Sequence, residues 1–232
     1  MATAHAGTFT FGSSANDLLG ATSKTLSAAG FAMNLVAGPA GGGLWESSGV
    51  GGMGVDASAI LGPGGLAARF DRINGVSEFV EFSFDTPGVL TAINFDGVKD
   101  ESLEYFVLES SGGLRINFFD SAANITIPGA IDNAISQGVV TGEVVYLLEG
   151  NGFDDEVNDL SIPFSAGQVF RLTYAEVGGG LGAAFEPTLA PNGARLQGLT
   201  VAAVPEPATL SLAAAAGGFL LGTCLLRRRV AR

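Results

Sequence analysis

The sequence predicts an all-β fold, an antiparallel β-sandwich of jelly-roll-like type, followed by a single C-terminal transmembrane helix. Three observations carry this expectation. Short runs alternate apolar and polar residues with a period of two, most plainly around Val80, Phe82 and Phe84 and around Phe170, Leu172 and Tyr174. Glycine and proline clusters punctuate the chain between those runs, with no strand–helix–strand rhythm. Ala208–Leu226 carries no charge and is long enough to cross a bilayer core as a helix.

Gly7–Gly12 alternates around Phe9 and Phe11 and reads as a first strand. Residues 13–30 are rich in Ser, Ala, Asn and Gly and read as a loop or a short helix. Phe31–Ala37 is a strand. Gly38–Gly54 holds eight glycines with Pro39 and Trp45, so it reads as a loop or a series of turns. Val76–Asp85 places Val80, Phe82 and Phe84 on one face and Phe79, Glu81, Ser83 and Asp85 on the other. Thr86-Pro87-Gly88-Val89 has the form of a type II turn, with proline fixing one dihedral and glycine taking the positive φ. Val89–Phe95 then returns, and the two strands are expected to form an antiparallel hairpin. Leu103–Glu109 and Leu114–Phe119 form a second hairpin through Ser110–Gly113. Ala130–Gln137 reads as a helical turn, Glu143–Glu149 as an apolar strand and Gly150–Asp159 as an acidic loop. Gln168–Ala175 and Ala194–Val201 are the last strands. Roughly eight to ten short strands suit a sandwich.

The chain divides into residues 1–6, a domain over 7–203 and a tail over 204–232. Ala4-His5-Ala6 has the small-x-small form of a signal-peptidase site, so 1–6 reads as the remnant of a signal peptide. The net charge is −12. With the four tail arginines set aside, seven basic residues face 23 acids, a balance of −16. That argues against nucleic acid or an anionic membrane surface as partner of the domain. Glycine, at 35 of 232 residues, is about twice its usual share and has no fixed period, which excludes collagen. The single cysteine, Cys224, lies in the apolar tail, so the domain has no disulfide.

The tail begins Val204-Pro205-Glu206-Pro207, continues through the uncharged span 208–226 and ends in Arg227, Arg228 and Arg229. The arginines act as a stop-transfer signal and stay on the cytoplasmic side, which places the domain outside. Pro-Glu-Pro, a short apolar span and a terminal arginine cluster together resemble the PEP-CTERM sorting signal of Gram-negative bacteria. The resemblance implies a substrate of an exosortase, a membrane transpeptidase. It implies transient anchoring in the inner membrane, cleavage near Pro205–Pro207, and release to the envelope or extracellular matrix. It also implies association with exopolysaccharide and biofilm. Within the domain, Val76–Asp85 with Val89–Phe95, and Phe170–Thr173 with Leu196–Val201, are similar to the β-sandwich domains found ahead of such tails. That likeness implies a fold and no catalytic residue.

Nucleophilic and zinc chemistry have little to work with. His5 is the one histidine and sits in the signal remnant, so a Ser-His-Asp triad and His/Cys metal sites are excluded. Gly41–Gly43 and Gly178–Gly180 lack the lysine of a phosphate loop. Carboxylates remain. Asp154, Asp155, Glu156 and Asp159 are candidate Ca²⁺ ligands, although their spacing is not that of an EF-hand loop. Asp71, Asn74 and Glu78 form a second group, and Asp96, Asp100 and Glu101 a third. A glycoside hydrolase needs two carboxyls across a cleft, a test that 23 acids cannot fail by number alone. Trp45 and Phe79 are the candidate aromatic platforms for carbohydrate. The expected function is therefore a non-enzymatic, exported surface or matrix protein. The alternatives are a carbohydrate-binding module, with or without Ca²⁺, and a carboxylate-based glycoside hydrolase.

Overall fold

Two sheets face one another across a shared core of phenylalanine and aliphatic side chains. The computed structural model describes residues 5–12, 16–47, 51–61, 69–98, 104–120, 144–148, 155–176 and 193–204. The first sheet is built on β9 (Gly88–Asp96) and β16 (Arg195–Ala203). β16 also carries β1 (Ala6–Thr10) and leads on to β5 (Met53–Asp56) and β4 (Gly43–Glu46), while β9 carries β13 (Asp155–Val157) and β14 (Ile162–Phe164). The second sheet runs in the order β12 (Val144–Leu148), β11 (Arg115–Asp120), β10 (Glu104–Ser110), β15 (Phe170–Glu176), β8 (Phe79–Phe84), β3 (Phe31–Gly38) and β2 (Ser23–Ala28). A ribbon of β6 (Arg72–Ile73) with β7 (Val76–Ser77) and a one-turn helix α1 (Ser58–Leu61) complete the described elements. Among the described strands, pairing is antiparallel except between β11 and β12. The compact unit spans His5–Ala203.

The period-two pattern explains why these segments are strands. β8 buries Val80, Phe82 and Phe84 and turns Phe79, Glu81 and Ser83 outward, and β15 buries Phe170, Leu172 and Tyr174. The inward rings then meet across the sandwich. Phe95 of the first sheet stacks on Phe106 of the second at 4.5 Å between centroids, and Phe164 stacks on Phe84 at 4.7 Å. Burying each such side chain stabilises the fold by about 1.5–3 kcal/mol, and a ring pair adds about 0.5–1.5 kcal/mol. The inter-sheet phenylalanine layer is therefore a major source of stability.

The expected hairpin of 76–85 with 89–95 does not form. β8 pairs with β3 and β15, whereas β9 lies in the other sheet. Thr86-Pro87 is a corner between sheets, and Gly88 is already the first residue of β9, outside the positive-φ glycines. Its missing side chain matters for space instead. A Cβ at Gly88 would lie 2.7 Å from Phe164 Cζ and 2.8 Å from the Ala202 carbonyl oxygen. The second expected hairpin does form, with Glu109 opposite Arg115 and Gly113 at φ 86° in the turn.

Three segments read as loops contain strands. β2 lies at a sheet edge with Ser23, Thr25 and Ser27 exposed, so it has no strong apolar alternation to detect. β4 and β5 are glycine-rich because neighbouring backbone comes close, and a Cβ at Gly54 would overlap the backbone of Arg69. The acidic stretch 150–159 contributes β13, whose Val157 is buried in the core. The helical turn read at 130–137 lies outside the described residues. Among the described residues no helix is long and apolar enough to cross a membrane. The tail over 205–232, with its span at 208–226, also lies outside them.

Candidate functional site

Among the described residues, two groups of titratable side chains bear on function. The first is a buried carboxyl pair beside the β6–β7 ribbon. Asn74 and Gly75 sit at φ 50° and 82°, the signature of a two-residue primed turn. Asp71 and Glu78 lie symmetrically about that turn, and the Glu78 amide donates to the Asp71 carbonyl at 2.9 Å. The Glu78 side chain is fully buried. Its Oε1 accepts from the Ala57 amide at 2.6 Å and its Oε2 from the Asp71 amide at 3.1 Å. Burial, together with the charge of Asp71, raises the Glu78 carboxyl to about 8, although the two amide bonds pull the other way. The group therefore holds its proton at neutral pH and shares a side-chain hydrogen bond with Asp71.

This pair ties the start of α1, the ribbon and β8 into one knot. It is not arranged for glycoside cleavage, which needs two carboxyls roughly 5 Å or more apart with a sugar bond between them. Asn74, the third residue of that candidate group, turns away and donates to the Leu61 carbonyl at 2.5 Å.

The second feature lies on the outer face of the second sheet. Arg115, Glu109, Arg171 and Glu81 stand directly opposite one another on β11, β10, β15 and β8. They form a row of alternating sign across four strands. Arg115 Nη1 donates to Glu109 Oε1 at 2.7 Å, and Arg171 donates to Glu81 Oε1 through Nε at 3.0 Å and Nη2 at 2.5 Å. A groove of about 480 Å³ opens over this row, bounded by the β10–β11 turn and Val169. Side-chain exposures of 31–48% put these pairs in the surface class, each worth about 0–1 kcal/mol. The row therefore adds little to stability.

Phe79 is half-buried at the start of β8, with the Arg171 guanidinium 4.4 Å from its ring centroid. A Cβ at Gly38 would overlap the same ring, so Phe79 supports Arg171 and offers no open stacking face. Trp45 is half-buried on β4. Glu156 faces Asn94, whose Nδ2 lies 3.4 Å from its Oε2, and Asp159 is exposed at φ 64°. Asp155 lies in β13, and Asp154 is outside the described residues. Among the described residues no three His, Cys, Asp or Glu side chains gather as a metal site. Asp96 is committed to Arg195 at 2.6 Å, and Asp100 and Glu101 are outside the described residues. Pro205–Pro207 and Arg227–Arg229 are outside them as well.

Sequence reasoning groups Asp71, Asn74 and Glu78, of which the structure brings Asp71 and Glu78 together, and it misses the charged row as a unit. Asn74-Gly75 is a strong hairpin signal, and it would have paired Asp71 with Glu78. The Arg115–Glu109 half of the row follows from the turn at 110–113, but the Glu81–Arg171 half joins strands 90 residues apart. Compared with known proteins, the chain matches no family model, no curated protein and no solved structure.

Proposed function

We propose that this chain is an exported, non-enzymatic surface or matrix protein, sorted through residues 204–232 by an exosortase-type system. The observation that carries the reading is the three-part tail: Pro205-Glu206-Pro207, the uncharged stretch 208–226 and Arg227–Arg229. A bare anchor has no need of the Pro-Glu-Pro. In this reading 208–226 forms a helix that enters the inner membrane, the arginines hold its end in the cytoplasm, and processing near Pro205–Pro207 frees a jelly-roll-like domain. The acidic, disulfide-free domain is suited to staying soluble outside the cell. Fractionation of the native host tests this. The chain is expected in the envelope or medium, and replacing Pro205, Glu206 and Pro207 by alanine is expected to hold it in the inner membrane. Full-length chain dissolved in the cytosol would overturn the reading.

A second reading, carbohydrate binding by the domain, is favoured by one observation. The groove on the second sheet is floored by polar side chains of both signs, whose pairing does little for the fold. The two readings are compatible, since sorting delivers the domain to wherever the glycan is.

A further inference from the structure

We propose that the groove over Glu109, Arg171 and Glu81 binds a neutral, hydroxyl-rich polysaccharide that lies across the strands. The proposal rests on the carbohydrate reading above and adds to it a site and a ligand class. The ion pairs leave polar atoms of the row unused. Arg171 spends Nε and Nη2 on a single oxygen of Glu81, Oε1. Arg115 reaches Glu109 Oε1. Among the described residues, Glu81 Oε2, Glu109 Oε2 and Arg171 Nη1 make no protein hydrogen bond. Acceptor, donor and acceptor therefore stand in line on β10, β15 and β8, spaced by about 4.8 Å, the separation of neighbouring strands.

A hydroxyl group both donates and accepts, so a line of hydroxyls satisfies this floor without changing the charge of any partner. Two carboxylates and two arginines line the groove, so an anionic ligand finds no net positive charge there and meets a chain of net charge −12 around it. A cation meets Arg171 at the centre. The ligand class that remains is neutral and polyhydroxylated. Val169, 39% exposed, and Leu114 border the groove and supply apolar contact for the C–H faces of sugar rings.

The floor is also held in place before any ligand arrives. The Arg171 guanidinium is stacked on Phe79 and fixed by two N–H bonds to Glu81, so little side-chain freedom is lost on binding. Phe79 is thus a positioning residue for Arg171 and does not stack on the sugar.

Affinity electrophoresis of the full chain tests this. Gels containing dextran or a β-linked glucan are compared with gels containing alginate and gels without polysaccharide. The wild-type chain is expected to be retarded by a neutral glucan and not by alginate. Arg171→Ala, and Glu81→Ala with Glu109→Ala, are expected to weaken the association at least tenfold. Arg171→Lys, which keeps a charge opposite Glu81 but loses the fork, is expected to weaken it as well. Thr8→Ala, exposed on β1 of the first sheet, is expected to change nothing. Circular dichroism checks that each variant is folded. Neutral-glucan binding left intact in Arg171→Ala and in Arg171→Lys would overturn the groove assignment and leave the carbohydrate reading standing. Retardation by alginate alone would overturn the ligand class, and retardation by none of the polysaccharides would overturn both.

Discussion

Glu78→Gln should remove a pH dependence of stability that the wild-type domain carries between about pH 4.5 and 8. In the native state the Glu78 carboxyl keeps its proton up to about 8, raised first by burial and then by the Asp71 charge, from an ordinary value of 4.5. The unfolded chain gives up that proton at the ordinary value. Across this window the native state holds more protons than the unfolded state, so stability falls as pH rises. The slope approaches about 1.4 kcal/mol per pH unit, and the loss over the whole window is at most roughly 5 kcal/mol. Above pH 8 the contribution is flat. Glutamine stays neutral at every pH, accepts from the Ala57 amide and donates to Asp71. It no longer accepts from the buried Asp71 amide, at a cost of about 1–3 kcal/mol. Glu78→Gln should therefore be less stable than wild type at pH 5 and more stable at pH 8.5, with the two curves crossing between. Urea denaturation followed by tryptophan fluorescence at half-unit steps measures both curves. Parallel curves, or a wild type that gains stability from pH 5 to 8, would refute the reasoning about the buried pair.

Three further outcomes follow from the packing. Phe95→Ala removes the ring stacked on Phe106 between the sheets and should cost about 3–5 kcal/mol in the same urea experiment. Gly88→Ala forces a methyl against Phe164 and the Ala202 carbonyl and should cost about 1–3 kcal/mol, whereas Gly30→Ala, with nothing within 4 Å of its Cβ, should show only the strain of its φ of 87°. Glu46→Ala removes the carboxylate that accepts from the amides of Gly12 and Asn16, so proteolysis near residue 16 should speed up while the urea midpoint moves by less than in Phe95→Ala. A midpoint loss in Glu46→Ala equal to that of Phe95→Ala would contradict this ranking.

The strands that bury phenylalanine on one face and show polar residues on the other are readable from sequence, because a period of two leaves a mark wherever a sheet is half-buried. Phe79–Phe84 and Phe170–Tyr174 are of this kind, and the β10–β11 hairpin follows from the glycine pair in its turn. β2 escaped because its outward side chains are Ser and Thr at an edge, and β4 and β5 escaped because close backbone approach selects glycine over β-formers. The crossing at Thr86-Pro87 is a question of which sheet the next strand joins. Local turn chemistry does not encode that, and the inter-sheet packing of Phe84 on Phe164 decides it. The same limit applies to the charged row. Each residue is visible as an outward polar position, yet its register depends on pairings between distant strands. Phe79 is visible as an outward aromatic, and its supporting role depends on the placement of Arg171 over its ring.

Sorting and release turn on the fate of the C-terminal tail. Intact-mass and C-terminal peptide analysis of chain recovered from the envelope or medium of the native host measures it directly. The account predicts a mature chain ending near Pro205–Pro207, with Ala208–Arg232 absent. Exported chain that still ends in Arg232 would contradict it.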